Sequence, residues 1–268
     1  PANASVADVD AWDSIYIESS KCNATHEICG DGCGVEVYCG SVSEAEYRNS
    51  RAQYYASLSF VDEQFGRVLD WLDESGVISS TFIMYLSDHG DALGDHQLWR
   101  KGYPFQQIAS VPLYVRWPDE DAGGGSALGS GGGLAGIATI ARGSFIDAVV
   151  ELRDVFPTLA DVAGVDVTSW GEPGGDERKP DGLSMLLLLR NSTTATPVWR
   201  QWIGLEMAMC SLTGIGPGMN WNAVTDGVSK YIYYWESAQE QFFDLSTDPY
   251  EELNLADDPH WAQQISLW

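Results

Sequence analysis

The sequence predicts an α/β fold, in which a mixed, mostly parallel sheet is flanked by helices and followed by a small C-terminal antiparallel α+β subdomain. Apolar side chains in residues 47–75 recur at steps of four and three, which is typical of an amphipathic helix. Phe82–Leu86 is an unbroken apolar run, which is typical of a strand buried on both faces. After about residue 200 the sequence changes to short aromatic and β-branched runs joined by turns, which predicts an antiparallel meander.

The predicted helix has one apolar face, which we expect to pack against a sheet. Gly76 follows its last turn and suits a C-terminal cap, because glycine adopts the left-handed conformation without steric penalty. The apolar face consists of Tyr54, Leu58, Val61, Phe65, Val68 and Leu72.

Further elements are predicted in order along the chain. Val111–Trp117 is a second buried strand that ends before Pro118, and Phe145–Leu152 is another strand candidate. Asp154–Ala163 is a short helix with a proline in its first turn. Asp119–Gly136 is rich in glycine and serine, and we interpret it as an inserted surface loop. The strands of the predicted meander are Trp221–Thr225, Lys230–Trp235 and Gln241–Leu245.

These elements divide the chain into three consecutive segments. Residues 1–46 are irregular and cysteine-rich, residues 47–199 belong to the α/β domain, and residues 200–268 form the antiparallel subdomain. Aromatic side chains of the last segment are interpreted as its core, and Asn254 as structural.

The chain is strongly acidic. Its 14 Lys and Arg and 39 Asp and Glu give a formal net charge of −25. Such a charge argues against nucleic acid and anionic membrane surfaces as partners, since both bind basic patches. No apolar run is long enough to span a bilayer. An anionic substrate must therefore be attracted by local positive charge against the overall field.

Clustered cysteines and glycosylation sequons predict a secreted protein or one in the lumen of the secretory or lysosomal pathway. Sequons occur at Asn3, Asn23 and Asn191. Two local disulfides are favoured over a zinc site, because the close Cys-x2-Cys pairs of common zinc modules are missing and an oxidising compartment favours bridges. The pairing stays open, and Cys210 is left over. The clustered cysteines are Cys22, Cys29, Cys33 and Cys39.

Chemistry-bearing residues follow the first predicted strand. Asp88 and His89 stand where that strand leaves the sheet, and both can bind a divalent cation. Gly90 permits a sharp turn or a close backbone approach. Lys101 is a flexible cation able to hold an anionic oxygen. The simpler interpretation is a turn in which Asp88 caps a backbone N–H and Lys101 is a solvated surface lysine.

The longer string around these residues favours the metal site over the simple turn, because it resembles a known family. SDHGDALGDHQLWRKG followed by SVPLYVRWP resembles the second signature of the sulfatase family, within the alkaline-phosphatase superfamily. The resemblance extends to the preceding helix. It also includes three further strings, ELRDVFPTLADVAGV, PDGLSMLLLL and FFDLSTDPYEELNLA. The match covers residues 51–256 in pieces. An alkaline-phosphatase-like fold, present in part, is therefore implied.

The resemblance implies roles for three residues. Asp88 and His89 match the family's metal ligands, and Lys101 matches a catalytic lysine that contacts the sulfate. The implied metal is a divalent ion, with Ca²⁺ first and Mg²⁺ or Mn²⁺ open because histidine is a soft ligand for calcium. The implied substrate is an aryl or carbohydrate sulfate ester. His96 lies in the same string but is given no catalytic role.

Several functional residues of the family pattern are missing from this sequence. No cysteine here stands in the Cys-x-Pro-x-Arg motif that yields formylglycine, the family's nucleophile. Two early metal-binding aspartates and an upstream sulfate-contacting histidine have no counterpart either. We expect this chain to be the C-terminal half or so of a sulfatase, with formylglycine in the other half. The isolated chain is then expected to be inactive and to bind calcium weakly.

Two alternative functions remain open from the sequence. A phosphonate or phosphate ester hydrolase of the same superfamily shares the metal-binding pattern and differs in its nucleophile. A catalytically dead secreted glycoprotein could keep the same fold.

Overall fold

The computed structural model describes residues 44–98, 101–119, 142–165, 180–189, 199–208, 220–235 and 237–268. Several predicted features lie outside these ranges. They are the five cysteines, the three sequon asparagines, the irregular N-terminal segment up to residue 43 and nearly all of the glycine-rich tract.

The described residues form two compact units that are discontinuous along the chain. The first unit contains the described residues up to Phe60, together with His89–Val111 and Gly204–Trp268. The second unit contains Val61–Asp88 and the described residues of Pro112–Ile203. The division into three consecutive segments therefore remains a sequence-based prediction.

The predicted amphipathic helix is present as α1, Glu44–Glu74. It ends as predicted, because Gly76 has a φ of 68° and its N–H donates to the Asp73 carbonyl at 2.8 Å. The Val77 N–H closes the outer turn on the Leu72 carbonyl at 3.0 Å. These two bonds form a Schellman motif, which satisfies carbonyls that would otherwise be left without donors.

The expectation that the apolar face of α1 is buried is mostly wrong. Phe65 packs on the ring of Tyr85, with ring centroids 5.0 Å apart. Leu58, Val61 and Val68 are between 46% and 54% exposed. Helical periodicity predicts that these residues share a face, but it does not supply the partner surface that burial needs.

The two strands predicted for the second unit share a sheet. β1, Ile83–Leu86, pairs with β2, Leu113–Arg116, and the pairing is antiparallel. Both strands are half-buried, and Tyr114 is 66% exposed. Burial of β1 on both faces was therefore a wrong expectation. This pair is antiparallel and does not support a mostly parallel sheet, which stays a prediction.

The strand candidate Phe145–Leu152 is also wrong, because residues 145–151 are irregular and Leu152–Asp154 is a 3₁₀ turn. Phe145 is 95% exposed, and the Val149 carbonyl accepts a hydrogen bond from the Trp199 indole at 2.7 Å. This carbonyl therefore bonds a side chain and not a strand ladder. The segment leads into α3, Val155–Val162, close to the predicted helix.

A buried carboxylate organises this part of the second unit. Asp154 is 0% exposed and accepts hydrogen bonds from the backbone N–H groups of Glu151 and Leu183 at 2.9 and 2.7 Å. Both terminal nitrogens of Arg200 donate to it, at 2.6 and 2.7 Å. The four bonds come from three places in the unit, Glu151, Leu183 and Arg200, and meet at the residue before α3. Asp154 therefore holds these segments together.

The C-terminal residues form a four-stranded sheet in the order β3-β4-β5-β6, within the first unit apart from Ile203. Its strands are β3, Ile203–Met207; β4, Trp221–Thr225; β5, Ser229–Tyr234; and β6, Gln239–Asp244. The pairs β4-β5 and β5-β6 are antiparallel, as predicted for the meander. β3 was not predicted, although its side chains alternate between half-buried and exposed.

The core of the first unit joins this sheet to residues 92–108. Aromatic side chains of the meander are its centre, as predicted, and Phe105 is 1% exposed within it. Asn254 is structural, since its side-chain oxygen accepts from the Phe242 N–H at 3.0 Å. The core residues are Ala92, Leu98, Phe105, Ile108, Trp221, Ala223, Ile232, Tyr234, Phe243 and Leu245.

The remaining helices are short. They are α2, Gln106–Ala109; α4, Leu186–Leu189; and α5, Ala262–Ile265, with 3₁₀ turns at Ile78–Ser80 and Asp95–Gln97. Within the described ranges, no helix combines the length and the apolar character needed to cross a bilayer.

Candidate active site

Asp88 lies just beyond the end of β1, in the second unit. β1 ends at Leu86, and Asp88 is exposed. Its carboxylate is therefore within reach of solvent and of a bound ion, as the sequence predicts for a residue at a strand end.

The residues after Asp88 belong to the first unit, and the backbone there explains the glycine. The Gly90 N–H donates to the Ile108 carbonyl at 2.8 Å, at the end of α2. A Cβ atom on Gly90 would overlap the carbonyl oxygen of Gln107. The turn can therefore lie against α2 only because residue 90 has no side chain.

The imidazole of His89 has a defined orientation. Its Nδ1 lies 2.8 Å from the carbonyl oxygen of Gly90, which can only accept a hydrogen bond. Nδ1 therefore carries the proton, and Nε2 presents its lone pair. This is the arrangement found in metal-binding histidines, in which a carbonyl fixes the nitrogen that does not bind the metal.

Lys101 returns to this turn although twelve residues separate it from His89. Its Nζ lies 2.7 Å from Nε2 of His89, which accepts the hydrogen bond from the ammonium. The Lys101 side chain is also exposed, so a solute can reach the ammonium. The structure thus places an exposed positive charge beside a histidine nitrogen at the end of the turn.

Two side chains of α1 support the intervening loop, and sequence reasoning missed both. Arg51 Nε donates to the Leu93 carbonyl at 2.7 Å, and its guanidinium pairs with Asp95 at 3.1 Å. The Tyr47 hydroxyl donates to the Gly94 carbonyl. Gly94 has a φ of 91°, so its carbonyl is turned towards α1 by a conformation that favours glycine.

His96 is structural, as the sequence suggests. Its ring stacks on Phe105 with centroids 4.1 Å apart. Burial lowers the pKa of His96, and the opposing effects of a backbone hydrogen bond to Tyr250 and of nearby acidic groups are smaller. His96 therefore favours its neutral form and packs as an aromatic side chain.

Three further residues reach the segment that follows Lys101, and no local sequence signal identified them. Glu251 lies within the sulfatase-like string DPYEE, where no role was assigned to it, and Lys230 opens an otherwise apolar strand. These residues and Trp221 bond the backbone of residues 102–106, all within the first unit.

The donor set matches a metal site in type but not in number. A carboxylate and an imidazole are suitable ligands for divalent ions. Catalytic sites commonly have three or more protein ligands, and no group of three such side chains is present in the described part of the chain. Asp88 and His89 can therefore supply only part of a ligand set.

Solved structures with a similar fold are sulfate and phosphonate ester hydrolases. One, determined in complex with its substrate D-glucosamine-2-N,6-O-disulfate, has a TM-score of 0.66 at 24% identity and covers 83% of this chain and 39% of that one. The phosphonate monoester hydrolase of Agrobacterium radiobacter has a TM-score of 0.65 at 23% identity and covers 99% of this chain and 49% of that one. These similarities define an α/β fold shared by ester hydrolases.

The family follows from the sequence match. A family model described as Sulfatase matches residues 16–165, which is more than half of the chain. The chain therefore belongs to the sulfatase family. An arylsulfatase of Clostridium perfringens is 32% identical over 236 residues, which are 87% of this chain and 41% of that protein. The chain thus spans about two fifths of the length of this relative.

Proposed function

We propose that this chain is part of a sulfuric ester hydrolase and that it contributes the sulfate-binding Lys101 and two metal ligands, Asp88 and His89. The observation that carries the proposal is the 2.7 Å contact between Lys101 Nζ and His89 Nε2. It brings Lys101, to which the family resemblance assigns the sulfate, beside His89, to which it assigns the metal. This contact supports the proposal over the interpretation of Lys101 as a solvated surface residue.

Lys101 binds and stabilises negative charge in this proposal. An ammonium directed at a sulfate oxygen lowers the energy of the charge that develops on the oxygens during S–O cleavage. The chain's net charge of −25 repels an anionic ester, so the local cation is also needed for binding. The exposure of Lys101 allows its ammonium to leave His89 for a sulfate oxygen.

His89 and Asp88 would hold a divalent ion, with Ca²⁺ first and Mg²⁺ or Mn²⁺ as alternatives. When bound, the ion supplies positive charge at the reacting sulfate. The bond from His89 Nδ1 to the Gly90 carbonyl keeps Nε2 available as a ligand. One lone pair serves one partner at a time, so metal binding and the Lys101 contact are mutually exclusive.

The nucleophile is proposed to be a formylglycine supplied from outside this sequence. None of the five cysteines stands in the required motif. If present, a formylglycine would supply the nucleophile for the sulfate ester, which fits the family chemistry. The proposed substrates are therefore aryl or carbohydrate sulfate esters.

The test is the variant Lys101→Ala in the whole enzyme. We expect kcat/KM for 4-nitrophenyl sulfate to fall about a hundredfold, which is the scale of losing one charge-stabilising donor. Arg67→Ala is the matched control, because it removes an exposed cation of α1 that bonds only Gln64 among the contacts described. Wild-type kinetics in Lys101→Ala would refute the role of the lysine.

The second candidate is a phosphonate monoester hydrolase, favoured by the similar fold of the Agrobacterium radiobacter enzyme. The same preparation is assayed with 4-nitrophenyl phenylphosphonate. A kcat/KM for the phosphonate that exceeds the value for the sulfate would favour this candidate, and Lys101→Ala then lowers that activity instead.

We further propose a secretory or lysosomal location, with N-glycans at Asn3, Asn23 and Asn191 and two disulfides among Cys22, Cys29, Cys33 and Cys39. The sequons and the cysteine cluster support this proposal. Peptide mass spectrometry before and after glycan release and reduction is the measurement. Unmodified asparagines and free thiols in the native protein would refute it.

A further inference from the structure

The backbone just after Lys101 is held at alternate residues by side chains of the C-terminal sheet and its following loop. Each contact is a hydrogen bond between a buried side chain and a main-chain group. The bonds are Trp221 Nε1 to the Gly102 carbonyl at 2.9 Å, Lys230 Nζ to the Pro104 carbonyl at 2.7 Å, and the Gln106 N–H to Glu251 Oε2 at 2.6 Å. We call Trp221, Lys230 and Glu251 the backbone clamp.

Two members of the clamp are charged and fully buried. Lys230 and Glu251 are each 0% exposed, and their charged atoms lie 2.7 Å apart. Burial lowers the pKa of Lys230 and raises the pKa of Glu251, and the charge of the partner opposes each shift. A buried ion pair gives little net stability over apolar side chains of the same shape, so its role is better sought in what it binds.

The main chain of Glu251 points to the same conclusion. Its φ is 58°, in the left-handed region that favours glycine. A glycine would adopt this turn more easily, but it would leave the Gln106 N–H and Lys230 without the carboxylate. The strained conformation therefore serves to place the carboxylate of Glu251.

The clamp acts on both halves of the candidate site within the first unit. Gly102 follows Lys101 directly in the chain, and Gln106 is the first residue of α2. The last turn of α2 accepts the N–H of Gly90, which follows His89 and fixes its Nδ1. The clamp thus holds the backbone beside Lys101 directly and reaches the histidine turn only indirectly, through α2.

We propose that Trp221, Lys230 and Glu251 are positioning residues that place Lys101 for sulfate binding. The proposal rests on the proposed role of Lys101. The side chain of Lys101 is flexible, so the region that its ammonium can reach is set by the place of its backbone, and the clamp fixes the backbone next to it. Loss of a clamp bond therefore lowers activity through Lys101, beyond any effect on stability.

The cleanest test is Trp221→Phe in the whole enzyme, because phenylalanine keeps an aromatic ring but cannot donate to the Gly102 carbonyl. We expect kcat/KM for 4-nitrophenyl sulfate to fall about tenfold, since small displacements of a catalytic group have effects of this size or larger. Trp199→Phe is the matched control, because it removes an indole bond to the Val149 carbonyl in the second unit. It should change kcat/KM by less than about twofold.

A double-mutant cycle separates positioning from stability. In the Lys101→Ala background, Trp221→Phe should have almost no further effect, because the group that it positions is gone. A tenfold loss in both backgrounds would overturn the proposal while leaving the role of Lys101 intact. An equal kcat/KM for Trp221→Phe and the wild type would also overturn it. Wild-type activity of Lys101→Ala alone would refute the proposed function and the clamp together.

Lys230→Met/Glu251→Gln provides a second route if Trp221→Phe does not fold. It removes both buried charges together and, with them, the donor to the Pro104 carbonyl. The same cycle with Lys101→Ala is expected to show the same lack of additivity. Additive losses in this cycle would overturn the proposal in the same way.

Discussion

Each of the two units is organised around a buried charge, but the two charges are satisfied differently. Asp154 in the second unit receives two backbone N–H bonds and two guanidinium bonds. Glu251 in the first unit has one backbone N–H and the ammonium of Lys230, and it adopts a left-handed backbone.

The difference teaches where buried charge contributes to stability and where it serves the site. The donors of Asp154 come from structural segments around α3, and none lies near the proposed sulfate-binding lysine in sequence. One partner of Glu251, the Gln106 N–H, lies in the segment that follows Lys101, and the other, Lys230, donates to the Pro104 carbonyl of that segment. We therefore expect damage to Asp154 to appear mainly in folding, and damage to the clamp also in catalysis.

The largest effect is expected from Asp154→Ala. Removal of the carboxylate leaves Arg200, whose side chain is 14% exposed, with only its ion pair to Glu151 and breaks two backbone caps. The free energy of unfolding should fall by about 3–5 kcal/mol. Urea denaturation measures it. Asp119→Ala is the control, since its half-exposed ion pairs with Arg116 and Arg142 contribute at most about 1 kcal/mol each. Equal losses in the two variants would contradict the comparison.

A smaller loss of stability is expected from Lys230→Met, and a second substitution should restore most of it. The single variant leaves the carboxylate of Glu251 buried without a cation, and the free energy of unfolding should fall by about 3 kcal/mol. Lys230→Met/Glu251→Gln removes both charges and should recover most of this loss. Sulfate ester hydrolysis should not recover, because the Pro104 carbonyl still lacks its donor. Recovery of activity together with stability would break the distinction between the two units.

The smallest expected effect is a pH dependence of the folding stability, which we attribute to His96 in the first unit. Burial holds the pKa of His96 below its ordinary value of 6.5, so the folded state binds protons less readily than the unfolded state. The stability contributed by neutral His96 is present above pH 6.5 and is lost as the pH falls through the lowered value. Asp95 and Asp248 oppose this loss and Lys230 adds to it.

His96→Asn is the variant that isolates this dependence. Asparagine tolerates the positive φ of 53° found at this position and does not titrate. Thermal unfolding between pH 5 and pH 7 should then vary less than in the wild type. An unchanged pH profile would show that His96 does not contribute to it.

The helix α1, the first strand pair and the C-terminal meander could be predicted because their signals are local. Periodicity gave the apolar face of α1, and Gly76 marked its end through its backbone freedom. Burial could not be predicted in the same way, as Val68 and Tyr114 show, because it depends on which surfaces meet. Phe145–Leu152 has the composition of a strand, yet the Val149 carbonyl bonds an indole fifty residues away.

By itself, the sequence determined the family resemblance and predicted site roles for Asp88, His89 and Lys101, because these depend on residue type and on short spacings. Only the tertiary structure decided which side chains hold the loop that carries Lys101. Glu251 and Gln106 are 145 residues apart, and Lys230 and Pro104 are 126 apart. No periodicity links such distant positions, and the interaction exists only once the sheet has packed against the loop. The same packing buries Lys230 and Glu251. Lysine and glutamate side chains are ordinarily exposed, so the sequence alone would not predict their burial.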